Sequence, residues 1–251
     1  MNPNPLVLGG TTEATALCLA LSEAGLRGTI SFAGRVSRPV RQPLPQRVGG
    51  FGGVEGLLRY LKDHHISHVI DATHPFAAEM SANAVLACAE ADVPLIALSR
   101  APWCAGPGDK WTHVPDIAGA VAALDRPASR VMLAVGRMHL AEFAPNLQHF
   151  YLLRLIDAPD AALPFPSCQI VQDRGPFTTS GDLALMQAHR IELVVSKNSG
   201  GAGAFAKLAA ARQLGLPVIM IDRPAQPARR AAQTPREVLD WLNHSGTARG
   251  V

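Results

Sequence analysis

Short apolar runs alternate along the chain with longer Ala- and Leu-rich stretches whose apolar positions recur at helical spacing. In the first half, residues 5–8 (PLVL), 28–33 (GTISFA), 67–71 (SHVID) and 94–98 (PLIAL) read as strands, and stretches near 12–24, 54–64 and 76–91 as helices. Four strands with three crossovers make half of a doubly wound parallel sheet, not a sandwich or a bundle. The Pro- and Gly-bearing segment RAPWCAGPGDKWTHVP, residues 100–115, breaks this rhythm and reads as a linker or domain edge. The alternation then restarts, with strands near 131–135, 150–155, 168–172, 191–195 and 217–221 and helices near 116–124, 138–144, 179–189, 203–214 and 235–243. The expected fold class is α/β: two Rossmann-like three-layer domains with mostly parallel sheets, spanning residues 1–113 and 114–251. Ligands of such sheets bind beyond the carboxyl ends of the strands, and two domains imply a cleft between them.

Composition narrows the class. With 251 residues, 48% of them hydrophobic and 17% charged, the chain can bury a sizeable core. Its net charge of +3, from 23 Lys and Arg against 20 Asp and Glu, is too balanced for wrapping nucleic acid. Cys18, Cys88, Cys104 and Cys168 lie far apart with no metal-ligand spacing, so free thiols, no metal and a reducing cytoplasm are expected. No apolar run reaches the roughly 20 residues that span a bilayer, and the N-terminal MNPNPLVLGG lacks the features of a signal peptide.

The chemistry sits where strands give way to helices. In LVLGGTTEATALCLA, Gly9 and Gly10 allow a tight turn and close approach of a ligand, and Thr11, Thr12 and Glu13 open a helix whose free N–H groups suit a pyrophosphate. The motif is not a full GxGxxG, and a plain strand–helix turn is the alternative. After the second strand, FAGRVSRPVR carries Gly34, Arg35, Ser37, Arg38 and Arg41 but no acid where an NAD-binding fold places one. A guanidinium there suits a 2′-phosphate, so NADPH is favoured over NADH; a solvated basic loop is the plainer alternative. The third strand runs into Asp71, Ala72, Thr73 and His74, with Pro75 in a first-turn position and Thr73 expected to cap the following helix. In the second half a strand is expected to end at Val195, leaving Ser196, Lys197, Asn198, Ser199, Gly200 and Gly201 as a donor-rich loop suited to carboxylates or phosphates. Arg137 and Arg174 follow other strands and can add positive charge to the same rim.

An ordered set of motifs spans nearly the whole chain: LGGTTEA, GRV followed by GGFGG, DATHPFAAEMSANA, VPLIALSR with PW after it, GR at 136, RGPF at 174, KNSGGAGAFAKL and GLPVIMIDRP. In these the chain resembles the precorrin-6A reductases of cobalamin biosynthesis. The resemblance implies NADPH held mainly by the N-terminal domain, a tetrapyrrole substrate in the interdomain cleft, and hydride transfer to one double bond of precorrin-6A to give precorrin-6B. The cofactor then meets Gly9, Gly10, Thr11, Thr12, Glu13, Gly34, Arg35, Ser37, Arg38, Asp71, Ala72, Thr73 and His74, and the substrate's carboxylates meet Arg137, Arg174 and residues 196–201. The resemblance also implies that the product is handed to the next enzyme of the pathway. The added proton has three candidate sources, Asp71, His74 and solvent, which the sequence does not separate. Rival readings are a cobalt-precorrin-6A reductase, a dihydrodipicolinate reductase-type enzyme and a regulator that senses NADP without turning it over.

Overall fold

The computed structural model describes residues 3–34, 41–157, 159 and 162–245. The chain divides into two units, Met1–Ala101 together with Ala225–Val251, and Pro102–Pro224. The first begins with β1 (Pro5–Leu8), β2 (Thr29–Phe32), β3 (Gln46–Val48), β4 (His68–Asp71) and β5 (Leu95–Leu98). The second contains β6 (Lys110–Val114), β7 (Arg130–Ala134), β8 (Phe150–Leu155), β9 (Cys168–Gln172), β10 (Leu193–Lys197) and β11 (Pro217–Ile221). The chain then adds β12 (Arg230–Ala232) to the edge of the first sheet, parallel to β5.

Both sheets are six-stranded and parallel throughout, in the orders β12-β5-β4-β1-β2-β3 and β6-β11-β10-β7-β8-β9. Read from β3, the first is the dinucleotide-fold order 3-2-1-4-5-6, with β12 in the sixth place. Read from β9, the second has the same order, its sixth place taken by the unit's first strand, β6. Each order reverses at one point, between β1 and β4 in the first sheet and between β7 and β10 in the second. Those are the switch points where the crevice of such a fold opens.

Side-chain alternation builds the layers of the first unit. Val7 and Ile70 pack on one face with Leu17 and Leu21 of α1 (Thr12–Glu23) and Trp241 and Leu242 of α7 (Pro235–Ser245). Leu6, Leu8 and Val69 point to the other face, onto Leu57 and Leu61 of α2 (Gly53–Asp63) and Ala84 and Ala87 of α3 (Ala78–Ala91). Each of these buried leucines contributes about 1.5–3 kcal/mol of transfer free energy. In the second unit, Met132, Leu152, Val194 and Val218 form a core with Met186 of α5 (Thr179–Ala188) and Leu208 of α6 (Ala206–Gln213). The remaining α-helix is α4 (Ile117–Ala123), and no described helix is long and apolar enough to cross a membrane.

The structure corrects several expectations. Residues 225–251 belong with the N-terminal unit and not with 114–251, because β12 and α7 complete the first sheet and its core. The expected boundary at 113/114 falls inside β6, which lies in the segment expected to be a linker. β3, β6 and β12 were not anticipated, and all three are edge strands whose exposed, polar sequences QRV, KWTHV and RAA lack the apolar signal of a covered strand. The helix expected at 138–144 is a 3₁₀ helix, Arg137–Phe143. β10 continues to Lys197, so Ser196 and Lys197 end a strand and do not open a loop. α3 starts at Ala78 and carries no side-chain cap, since a turn closed by the Ala77 N–H on the His74 carbonyl (2.7 Å) intervenes.

Candidate functional site

The first switch point brings the two N-terminal motifs together. Gly9 continues from β1, its N–H donating to the Ser31 carbonyl on β2 (2.8 Å). A Cβ at Gly9 would stand 2.8 Å from Ile30 Cδ1, so a larger residue here would press on the buried Ile30 side chain. Gly10 has φ +136, and nothing lies within 4 Å of where its Cβ would be, leaving open space in front of α1. Thr11 caps α1 by accepting from the Ala14 N–H and donates its own hydroxyl to the Ala72 carbonyl (2.8 Å). The Ala72 N–H in turn donates to the Leu8 carbonyl (2.9 Å). Gly9–Thr11 and Asp71–Thr73 therefore form one backbone-tied crevice edge, as the fold rule requires. Thr12 and Glu13 sit in the first turn of α1, and the Glu13 carboxylate is held by Arg100, which follows β5.

Asp71 is an anchor. Its side chain is 1% exposed. Oδ1 accepts from the Thr73 N–H (3.2 Å) and hydroxyl (2.7 Å), while Oδ2 accepts from the Ser81 hydroxyl (2.6 Å) and pairs with Arg229 Nη2 (3.1 Å). Thr73 thus serves Asp71 instead of capping α3 as expected, because its hydroxyl faces back to the strand end. The negative charge of Asp71 adds to burial in pushing the nearby Cys88 thiol up to about 12. His74, half-buried, accepts from the Phe76 N–H at Nδ1 (3.2 Å), which puts the proton of the neutral ring on Nε2.

Gly34, after β2, has φ +75 and is exposed. Arg35, Ser37 and Arg38 lie outside the described residues. Beside Gly34 the structure adds a feature that the sequence reading did not assign: Arg47 donates to the Ser31 hydroxyl (3.0 Å) and the Gly49 and Gly50 carbonyls (2.5 and 2.7 Å) and lies over the Phe51 ring (3.8 Å). It braces the GGFGG turn at the carboxyl end of β3.

At the second switch point, Gly136 (φ +81) and exposed Arg137 follow β7, and Lys197 ends β10. Lys197, Asn198 and Ser199 are buried, and the two glycines after them take φ +70 (Gly200) and +71 (Gly201). Part of this set is committed to contacts within the unit. Ser196 is fully buried, its hydroxyl donating to the Lys197 carbonyl (3.2 Å). Asn198 clamps Trp103, accepting from its N–H at Oδ1 (2.7 Å) and donating to its carbonyl from Nδ2 (3.0 Å). The Trp103 indole N–H reaches the Gly201 carbonyl (2.7 Å), and Arg223 donates to the Asn198 and Ser199 carbonyls (2.9 and 3.0 Å). Arg174, exposed, follows β9; the loop after it is packed through Phe177 against the Arg154 guanidinium (3.6 Å), itself paired with buried Asp182. Arg100, Trp103, Arg154, Arg223 and Arg229 all support these sites, and the sequence alone assigns none of them a role, although three fall within quoted motifs, since each acts on residues far away along the chain.

Comparison with known proteins follows the same outline. The model of the family "Precorrin-6x reductase CbiJ/CobK" matches residues 5–243. The chain is 58% identical to a precorrin-6A reductase of Rhodobacter capsulatus over 98% of both chains, and 43% identical to one of Sinorhizobium over 96% of this chain and 93% of the relative. A cobalt-precorrin-6A reductase of Priestia megaterium is 31% identical over 94% of this chain and 97% of its own. The solved structure described as CobK precorrin-6A reductase superposes with a TM-score of 0.94 at 57% identity, covering 97% of each chain.

Proposed function

The chain belongs to the precorrin-6x reductase CbiJ/CobK family, and from that premise we propose that it reduces precorrin-6A in cobalamin biosynthesis with NADPH held at the crevice of its first sheet. The observation that carries the cofactor site is the Thr11–Ala72 tie, which joins the glycine turn and the Asp71–His74 turn at the switch point of a six-stranded dinucleotide-fold sheet. Gly9 and Gly10 let the backbone approach a pyrophosphate, and the first turn of α1 supplies N–H groups to it. The open space at Gly10 is what such a group needs. Gly34 is followed in the sequence by Arg35, Ser37 and Arg38, residue types suited to a 2′-phosphate, which is the basis for NADPH over NADH.

When bound, the cofactor supplies the hydride; the chain binds, orients and excludes water. Precorrin-6A carries acetate and propionate arms, and Arg137, Arg174, Lys197 and the Ser199–Gly201 turn are the groups suited to them. Ser196 and Asn198 keep that turn in place instead of contacting the ligand. Of the three candidate sources of the proton that accompanies the hydride, solvent fits best: the His74 Nδ1 that would have to be protonated to make an acidic imidazolium accepts from the Phe76 N–H, and Asp71 is buried and accepts from Thr73, Ser81 and Arg229. The much higher identity to precorrin-6A reductases than to the cobalt-precorrin-6A enzymes favours the cobalt-free substrate. A reducing cytoplasm suits the four free thiols.

Anaerobic mixing with NADPH and precorrin-6A, followed by nicotinamide absorbance, tests this. Oxidation of NADPH with formation of precorrin-6B is expected; intact NADPH binding without consumption refutes the enzymatic reading. In the same assay Arg35→Ala weakens NADPH by about 1.5–3 kcal/mol more than NADH, and an equal loss for both removes the 2′-phosphate role from Arg35.

A further inference from the structure

The cofactor crevice is held from behind by the last part of the chain. Arg229 reaches Asp71 Oδ2 with Nη2 (3.1 Å) and stands 3.5 Å from the Ser81 hydroxyl that shares that oxygen. Its Nη1 donates to Gln226 Oε1 (3.2 Å), and the Gln226 amide donates to the Pro75 carbonyl (3.2 Å). Gln226 and Arg229 thus grip both ends of the Asp71–Pro75 turn, one at the carboxylate and one at the backbone. The grip is costly in itself. Arg229 Nε is buried with no hydrogen-bond acceptor among the described residues, and the Arg229 side chain is 14% exposed against 1% for Asp71. A pair built this way is a weak source of net stability, and its better attested use is to fix one local arrangement among several. Without Arg229 the Asp71 carboxylate keeps only the Thr73 and Ser81 donors, and the turn loses the contact that aims it.

We propose that Arg229 is a positioning residue of the reductase, acting through Asp71 to hold the Asp71–His74 turn in the conformation that meets the nicotinamide half of NADPH. This rests on the cofactor site argued above. It also explains what the return of residues 225–251 to the first unit accomplishes, since the crevice is complete only once this segment has docked.

The test separates the two halves of the cofactor. Binding of NADPH and of 2′,5′-ADP, which lacks the nicotinamide half, is measured by calorimetry for wild type, Arg229→Met, Arg229→Lys and Gln226→Ala, with circular dichroism and thermal midpoints as fold controls. Arg229→Met is expected to weaken NADPH about tenfold while leaving 2′,5′-ADP within about twofold, and Arg229→Lys to recover most of the loss. Gln226→Ala, a milder change that keeps the ion pair, is expected to weaken NADPH two- to threefold by the same pattern. Millimolar guanidinium should restore NADPH binding to Arg229→Met. Equal weakening of both ligands, or unchanged NADPH affinity in folded Arg229→Met and Gln226→Ala, overturns the positioning role with the cofactor site intact. Failure of wild type to bind either ligand overturns the cofactor site along with it.

Discussion

Asn198 provides the sharpest separation between a ligand-binding residue and a structural clamp. It is 4% exposed, and its amide makes two opposed bonds to one residue, accepting from the Trp103 N–H at 2.7 Å and donating to the Trp103 carbonyl at 3.0 Å. The amide acts as a short piece of strand for a segment that has no strand partner of its own. Asn198→Ala removes both bonds and leaves a backbone donor and acceptor unsatisfied. At about 1–3 kcal/mol per buried orphan group, less what a water entering the vacated volume restores, the loss is about 2–4 kcal/mol. Trp103 also packs in the second unit's core and holds the Gly201 carbonyl, so the loss falls on the whole turn after β10. Asn198→Asp is the diagnostic partner: it keeps the shape and the acceptor but turns a donor into a second acceptor against the Trp103 carbonyl, and it should cost at least as much. Urea unfolding followed by tryptophan fluorescence reads this directly, because Trp103 and Trp111 lie in the Pro102–Pro224 unit. A loss under about 0.5 kcal/mol, with substrate KM raised, refutes the clamp and returns Asn198 to the ligand.

Three further outcomes follow from the same geometry. Gly9→Ala would set a Cβ 2.8 Å from Cδ1 and 2.9 Å from Cγ1 of fully buried Ile30, so a loss of about 1–3 kcal/mol in thermal or urea unfolding is expected, and a neutral substitution would show the β1 turn to be looser than these contacts imply. Burial pushes the thiols of Cys18 and Cys88 up to about 11 and about 12, so iodoacetamide at pH 8 should label exposed Cys104 in the native protein and spare both of them, as mass spectrometry of the labelled peptides would reveal. The Arg212 hydrogen bond holds the Asp109 carboxyl below its ordinary value; a lowered folded-state value contributes stability that is fully present above the unfolded carboxyl's pKa of about 3.9 and is lost as pH falls through the folded one. The stability gap between wild type and Arg212→Ala should therefore be full at neutral pH and close below about pH 4, and a gap independent of pH would show that the pair does not stabilise the fold through the Asp109 charge.

The central strands were legible because they are covered on both faces and so read as continuous apolar runs, as PLVL, HVID and LVVSK do. Of the four edges only β9 was legible, since QRV, KWTHV and RAA leave most of their surface to solvent and carry no period that distinguishes a strand from a loop. The return of 225–251 was hidden for a related reason: nothing in a three-residue edge strand says which of two parallel sheets it joins. Strand-end chemistry was visible as residue types, and the Thr11–Ala72 tie confirms that two of the motifs meet. Their division of labour was not visible, because it depends on partners such as Arg229 for Asp71 and Trp103 for Asn198 that only folding brings near.

The paired registers show how one topology comes to present two kinds of chemistry at its switch points. Leu8 ends β1 opposite Asp71, and Ala134 ends β7 opposite Ser196. Counting on from those pairs, Gly10 and Gly136 stand at the same step past their strands, both with positive φ. One step later the sheets part: Thr11 caps a twelve-residue α-helix with its side chain, whereas Arg137 enters a 3₁₀ helix with no side-chain cap. On the opposite strand, the step after Asp71 is Ala72, and the step after Ser196 is Lys197. The first crevice thus offers backbone N–H groups at the start of a regular helix, which suit a pyrophosphate lying close against the chain. The second has no long helix to aim and instead places a guanidinium and an ammonium at the two positions flanking its switch point, which suits carboxylates on flexible arms reached from farther out. Two sheets of the same strand order thus present different chemistry at equivalent positions, a capped helix start against Ala72 in the first and a 3₁₀ segment with Arg137 against Lys197 in the second.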